Sequence, residues 1–396
     1  MSIEMKQTTK FYLTSFLKNQ TYFTPILVVF LQAMHLSFQE IFLVFTLGSI
    51  FSLIIEIPTG IIADLWGKRR SIIISKFGIF LAYLAFGFCH TFWHFVIAQL
   101  LLELGNCFRT GTETAYTFDY LKQNKDRCPS YTEVKSKQKI YARIGEAVAT
   151  AIGGVLAVRY GFHMVFFIAA IPAFANFLLS LFWEKIQERQ ESVSLRQSMV
   201  LAKESVCELC RNRQLLIITL NITMFSAVLA ALSKYIQPYM SDAAIPVEYF
   251  GFIYTASMTL SIIALYFADR LEDKFGTIAT INWISALSVI PVLIIGLKYV
   301  SIAGVLLFFL VIIAENIRSP IANGLFHEHV SSERRATLGS IESLAKSLGK
   351  IIILPIAGYF ADAFSFYTSI LVLGAILLCS AILFHIRPEK PENASA

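Results

Sequence analysis

Two apolar runs, IFLVFTLGSIFSLIIEIP at 41–58 and IIISKFGIFLAYLAFGF at 72–88, flank a short polar knot. Runs of this length constrain the fold more than any other feature. A helix that crosses a bilayer needs about 20 mostly apolar residues. About twelve such segments are legible, near 11–33, 38–62, 72–90, 92–118, 140–158, 162–183, 215–235, 249–268, 278–297, 301–320, 337–360 and 365–386. They lack the alternation of a β-barrel strand, so the expected class is an all-α integral membrane protein. Composition agrees. Charged residues make up 15% of the 396 positions and hydrophobic ones 56%, against about 25% charged in a soluble domain.

Lysine and arginine set the expected orientation. They concentrate in both termini and in every second connection, as in KQNKDRCPSYTEVKSKQK, while the alternate connections hold little beyond Arg159, Lys234 and Lys298. The positive-inside rule then places both termini in the cytoplasm, in a bacterial-type inner membrane. The net charge of +6 is therefore read as topology, with the lipid bilayer and not nucleic acid as the partner. Residues 184–214 form the longest hydrophilic stretch, with amphipathic spacing at Val193, Leu195, Met199 and Leu201. They divide the chain into an N-terminal six-helix bundle (1–183), a cytoplasmic linker (184–214) and a C-terminal six-helix bundle (215–396). A charged knot follows the second segment of each half, ADLWGKRR and then ADRLEDKFG. A two-fold internal repeat of this kind is expected of many secondary transporters.

The first knot carries a family resemblance. Gly60-Ile-Ile-Ala-Asp64-Leu-Trp-Gly67-Lys68-Arg69-Arg70-Ser-Ile72 resembles the loop 2–3 signature of the major facilitator superfamily. EIPTG, FRTGTETAYTFDYL, YIQPYM and RATLGSIESLAKSLGKIIILPIAGYFAD resemble a bacterial branch rich in drug and metabolite exporters. The resemblance implies a gating role for Gly60, Asp64, Gly67, Lys68, Arg69 and Asp119. The glycines allow a tight turn and close packing, Asp64 meets a helix end of the other half, and Lys68 or Arg69 pairs with Asp119. Two departures stand out. Leu101 occupies the place of the helix-4 arginine of proton antiporters, and the helix-5 glycines Gly145, Gly153 and Gly154 lack the antiporter Gly-Pro.

Ionisable residues inside spans are costly and mark pathways by default. Four sets pair at helical spacing: Arg109–Glu113, Arg143–Glu146, Glu315–Arg318 and Glu342–Lys346. Glu56 and Lys76 read as structural, Lys76 by snorkelling to the interface. Lys18, Glu103 and Lys350 have no same-helix partner, and at 1.5 Å per residue they lie about 10, 15 and 20 Å into their spans. They are the leading substrate or proton residues, unless Glu103 merely pairs with Lys18 or Lys350. Asn19, Tyr22 and Phe23 would complete a site, with Arg109, Glu113, Glu315, Arg318, Lys346 and Lys350 as further candidates. Two lysines against one acid suit an anionic substrate. His35, His90, His94 and His163 sit near outer helix ends, where external pH would reach them.

No nucleotide-binding loop or nucleophile motif is present, CELC at 207–210 lacks a second ligand pair, and HEH at 327–329 is short of ligands. The expectation is a non-enzymatic monomer without cofactor or metal. It would export a small amphipathic or anionic compound by proton-coupled alternating access. The rival within the same fold is proton-coupled uptake of an organic anion such as a carboxylate or siderophore. A rival of another class is a receptor or assembly factor on the same scaffold.

Overall fold

The structure, a computed structural model, describes residues 6–125, 128–187, 209, 211–298, 300–329 and 335–387. Among the described residues the regular secondary structure is entirely helical. The chain divides into two compact units, Met1–Leu36 with Val44–Val193 and Ala244–Ala256, and Ser37–Leu43 with Ser194–Ala243 and Ser257–Ala396.

The first half of the chain forms α1 (Gln7–Leu17), α2 (Leu27–Ala33), α3 (Phe38–Trp66), α4 (Lys68–Gly87), α5 (Phe92–Arg109), α6 (Thr112–Gln123), α7 (Tyr131–Tyr160) and α8 (Phe162–Leu181). The second half forms α9 (Arg213–Asp242), α10 (Val247–Leu265), α11 (Ala268–Phe275), α12 (Thr277–Leu287), α13 (Val289–Gly296), α14 (Ile302–Glu328), α15 (Arg335–Ala363) and α16 (Phe366–Leu383). Side-chain caps start several of them. Ser130 accepts from Glu133 N–H at α7, Asn212 from Gln214 and Leu215 at α9, and Ser365 from Thr368 at α16. Each cap satisfies donors that a helix start leaves open.

Among the described residues, ten helical spans are long and apolar enough to cross a membrane. The first and fourth expected segments fall short because each is broken. The segment at 11–33 becomes α1 and α2, separated at 18–26, and that at 92–118 becomes α5 and α6, separated at Thr110–Gly111. Gly111 has φ +75°, a conformation in which a β-carbon is strained. The first break presses on α7: a β-carbon on Gly153 would overlap the Tyr22 carbonyl, and one on Gly145 would lie 2.5 Å from the Phe16 carbonyl. The Gln20 amide also donates to the Gly145 carbonyl at 3.2 Å. The α7 glycines thus give the broken first helix a place to lie.

The repeat read from the two knots is visible in the backbone. Gly67 links α3 to α4 with φ +92°, and Gly276 links α11 to α12 with φ +81°. In the second unit the start of α3 is capped by Asp362 of α15, whose carboxylate accepts from Phe38 N–H at 2.9 Å and Gln39 N–H at 2.8 Å.

Candidate functional site

Both helix breaks carry charge, and both belong to the first unit. Lys18 is the C-cap of α1, Arg109 ends α5, and Glu113 lies in the first turn of α6. This placement suits the helix dipoles, cations at C-terminal ends and a carboxylate at an N-terminal end. Lys18 Nζ reaches Glu113 Oε2 at 3.4 Å. Lys76 comes from α4, which packs tightly on α5: Ser75 Oγ donates to the Gly105 carbonyl at 2.6 Å, and Gly78 faces Gly105. Glu113 therefore lies within electrostatic reach of Lys18, Lys76 and Arg109 together.

Several polar atoms of this cluster have no partner among the described residues. Arg109 Nε, Glu113 Oε1 and Asn176 Oδ1 are buried and unbonded. A cavity of about 40 Å³ is lined by Lys18, Lys76, Tyr83, Arg109 and Asn176, with Leu17, Ile79 and Ala173. One water needs about 10–15 Å³ by the same measure, so the cavity seats a small polar head group and not a whole substrate. Three cations facing one carboxylate give it surplus positive charge.

The site differs from the one read in the sequence. The break at Gly111 puts Arg109 and Glu113 on separate helices, so their expected pairing at helical spacing does not form. Arg109 Nη2 instead donates to Asn106 Oδ1 at 3.1 Å. Lys76 does not snorkel. It is 3% exposed, with its ammonium 4.1 Å above the Trp183 ring and 3.3 Å from Thr14 Oγ1. Glu103 accepts from Gln99 Nε2 at 2.7 Å on its own helix, so Lys18 pairs with Glu113 and not with Glu103. Asn19 donates to the Ser15 carbonyl and Tyr22 to Gln20 Oε1, while Phe23 stacks on Phe166. Sequence reasoning missed Asn176 and Trp183, because neither stands out in an apolar segment.

The other expected pairs form, Arg143 Nη1 with Glu146 Oε2 at 2.8 Å in the first unit and two more in the second. Arg318 Nη1 meets Glu315 Oε2 at 3.1 Å, and Lys346 meets Glu342 at 2.6 Å. Arg318 also donates from Nε to Ser285 Oγ at 2.8 Å and from Nη2 to Asn221, and lies 4.2 Å from the Phe225 ring centre. Lys350 is within electrostatic reach of Lys234.

In the first knot, Lys68 rather than Arg69 takes Asp119, at 2.5 Å. Arg69 donates to the Leu181 and Trp183 carbonyls. Gly67 makes the turn, whereas a β-carbon on Gly60 would meet open space, so Gly60 is not a close-packing position here. Asp64 is exposed. Cys207 and Cys210 of CELC lie outside the described residues. At the far end of the first unit His90 and His163 have ring centres 4.8 Å apart.

Comparison with known proteins follows the same lines. The profile of the Major Facilitator Superfamily matches residues 12–297 and 215–396. The MFS-type transporter YxaM of Bacillus subtilis is 22% identical over 94% of this chain and 93% of its own length. The multidrug resistance protein MdtG of Salmonella arizonae is 25% identical over 86% of this chain and 83% of its own. Among solved structures, the nucleoside transporter NupG superposes with a TM-score of 0.77 at 16% identity, covering 96% of this chain and 98% of that one. A D-xylose–proton symporter gives 0.72 at 16% identity, with 96% and 97% coverage.

Proposed function

Because this chain belongs to the Major Facilitator Superfamily, we propose that it carries a small organic anion across the membrane by alternating access, with a proton moving in the same direction. The observation behind this reading is the cluster at the two helix breaks, three cations around one buried carboxylate, with unbonded polar atoms at a cavity. Glu113 is the counter-ion of Lys18. An entering carboxylate takes hydrogen bonds from Lys76 and Arg109 and draws Lys18 away from Glu113. A buried carboxylate without its cation is strongly unfavourable, so Glu113 takes up a proton. By reciprocity, protonation of Glu113 strengthens anion binding by the same factor. Anion and proton then travel together, and the gradients decide the direction.

Export by exchange needs the opposite linkage, in which proton and substrate exclude each other. It stands as the second reading because relatives named multidrug resistance proteins share 25% identity with the chain. Orientation is read from the basic connections, with both termini cytoplasmic. A reporter fused after Ala396 that is active only outside the cytoplasm would overturn that orientation.

The test uses the purified protein in proteoliposomes and a panel of labelled carboxylates. With an acid exterior, uptake should exceed the equilibrium level, and an alkaline exterior should reverse the flux. Glu113→Gln should abolish accumulation while one-for-one exchange continues. Accumulation driven by an acid lumen instead would establish exchange and sink the co-transport reading.

A further inference from the structure

The gating loop and the cation cluster meet at one side chain. Gly67 turns the chain so that Arg69 reaches the end of α8, where its Nε donates to the Trp183 carbonyl at 2.6 Å and Nη2 to the Leu181 carbonyl at 2.5 Å. Lys10 Nζ takes the Phe182 carbonyl at 2.7 Å, and Tyr116 donates to the Glu184 carbonyl at 2.5 Å. All four carbonyls from 181 to 184 are thus held by side chains, two of them cations, as the negative end of a helix favours. The Trp183 ring stands in an aromatic box, 5.1 Å from Phe11 and 4.9 Å from Tyr116, and one face is covered by the Lys76 ammonium at 4.1 Å.

The indole N–H has no hydrogen-bond partner among the described residues, though Trp183 is only 2% exposed. The ring is therefore placed by packing and by its own clamped carbonyl, and by no bond from its side chain. Lys76, in turn, donates to the Thr14 hydroxyl at 3.3 Å and rests on the indole face. Moving the α8 end moves the surface on which the ammonium rests. A desolvated cation on an indole face is held far better than one at an exposed site, so this surface matters most where Lys76 lies.

We infer that Trp183 is a positioning residue that links the Gly67 turn and the first turn of α4 to the anion cluster, by setting where the Lys76 ammonium stands. While Arg69 clamps the α8 end, the indole holds Lys76 beside Glu113. When the Gly67 turn moves and the clamp opens, Lys76 loses its support and the cluster its third cation. Gate position and anion affinity are then one equilibrium seen from two sites. The inference rests on reading the cluster as an anion site, and its test has one arm that does not.

That arm is fluorescence. The chain has four tryptophans, and Trp66, Trp93 and Trp283 are exposed. With these three replaced by phenylalanine, emission from the purified protein reports Trp183 alone. Lys76→Gln and Arg69→Gln should each change its intensity and maximum, although Arg69 does not touch the ring. The other arm is binding of sodium lactate, read by calorimetry on the full chain. Arg69→Gln should weaken it roughly tenfold with Trp183 or Trp183→Phe, and have no further effect in Trp183→Leu, since contacting residues give non-additive cycles. Unchanged emission in Arg69→Gln overturns the link whatever lactate does. So does strict additivity of Arg69→Gln and Trp183→Leu. If Trp183→Leu does not accumulate, the Trp183→Phe pair and the emission arm decide. Lactate failing to bind the unmodified protein, with emission responding as expected, keeps the link and removes the anion reading.

Discussion

Each unit buries charge, and the two clusters differ in how fully the protein answers it. In the second unit Arg318 is entirely buried, yet its donors meet Glu315, Ser285 and Asn221 while Phe225 covers its face. In the first unit Lys18, Lys76 and Arg109 lie within electrostatic reach of one carboxylate, and Arg109 Nε, Glu113 Oε1 and Asn176 Oδ1 have no partner among the described residues. Burying a charge is tolerable when partners replace water. A cluster that completes this within the protein is a means of packing helices. A cluster that stops short invites a ligand to finish it.

The comparison breaks most visibly on stability. Arg318→Ala should leave Glu315 buried and uncompensated, at a cost of about 3–5 kcal/mol. The expected result is little folded protein in the membrane and a large drop in melting temperature. Arg318→Met combined with Glu315→Gln should recover most of both, because replacing a whole buried pair is tolerated where breaking it is not. Equal behaviour of the two variants would show that the pair is not what holds these helices.

Lys76→Met sharpens the contrast in the other direction. Removing one of three crowded cations should leave abundance and melting temperature unchanged or slightly raised. Lactate affinity should nevertheless fall by about one to two powers of ten, or 1.4–2.8 kcal/mol. A large stability loss with unaltered affinity would make Lys76 a packing residue like Arg318.

The smallest effect concerns the motif's two glycines. Gly67→Ala should cost about 1–2 kcal/mol, since an L-residue resists the left-handed backbone of that turn. Gly60→Ala meets no neighbouring atom and replaces a helical glycine, so it should gain up to about 1 kcal/mol. Thermal melting of both variants checks the pair. A loss at Gly60 as large as that at Gly67 would mean another conformation brings a helix against it.

Much of this was already legible in the residues. Apolar length gave the all-helical class, because only a bilayer accommodates that many runs. The knots GIIADLWGKRRSI and ADRLEDKFG marked the repeat, and both place a glycine where the backbone must be left-handed. Pairs three or four residues apart on unbroken helices also form as spaced: Arg143–Glu146, Glu315–Arg318 and Glu342–Lys346. These features depend on neighbours along the chain, so the sequence alone determines them.

What only the tertiary structure decided begins where helices stop. Arg109 and Glu113 have helical spacing, but Gly111 turns the chain between them and sends the carboxylate to Lys18. Snorkelling would take Lys76 to the interface, and its ammonium lies instead over Trp183, more than a hundred residues away in sequence. Glu103, conspicuous in its apolar run, accepts from Gln99 one turn away. Hydropathy reports the cost of burying a charge, and for Glu113 and Lys76 the partners come from other helices. The sequence could therefore show that this chain buries charge in a membrane, and the packing of α1, α4, α5, α6 and α8 decided which polar atoms of the first unit find partners among the described residues.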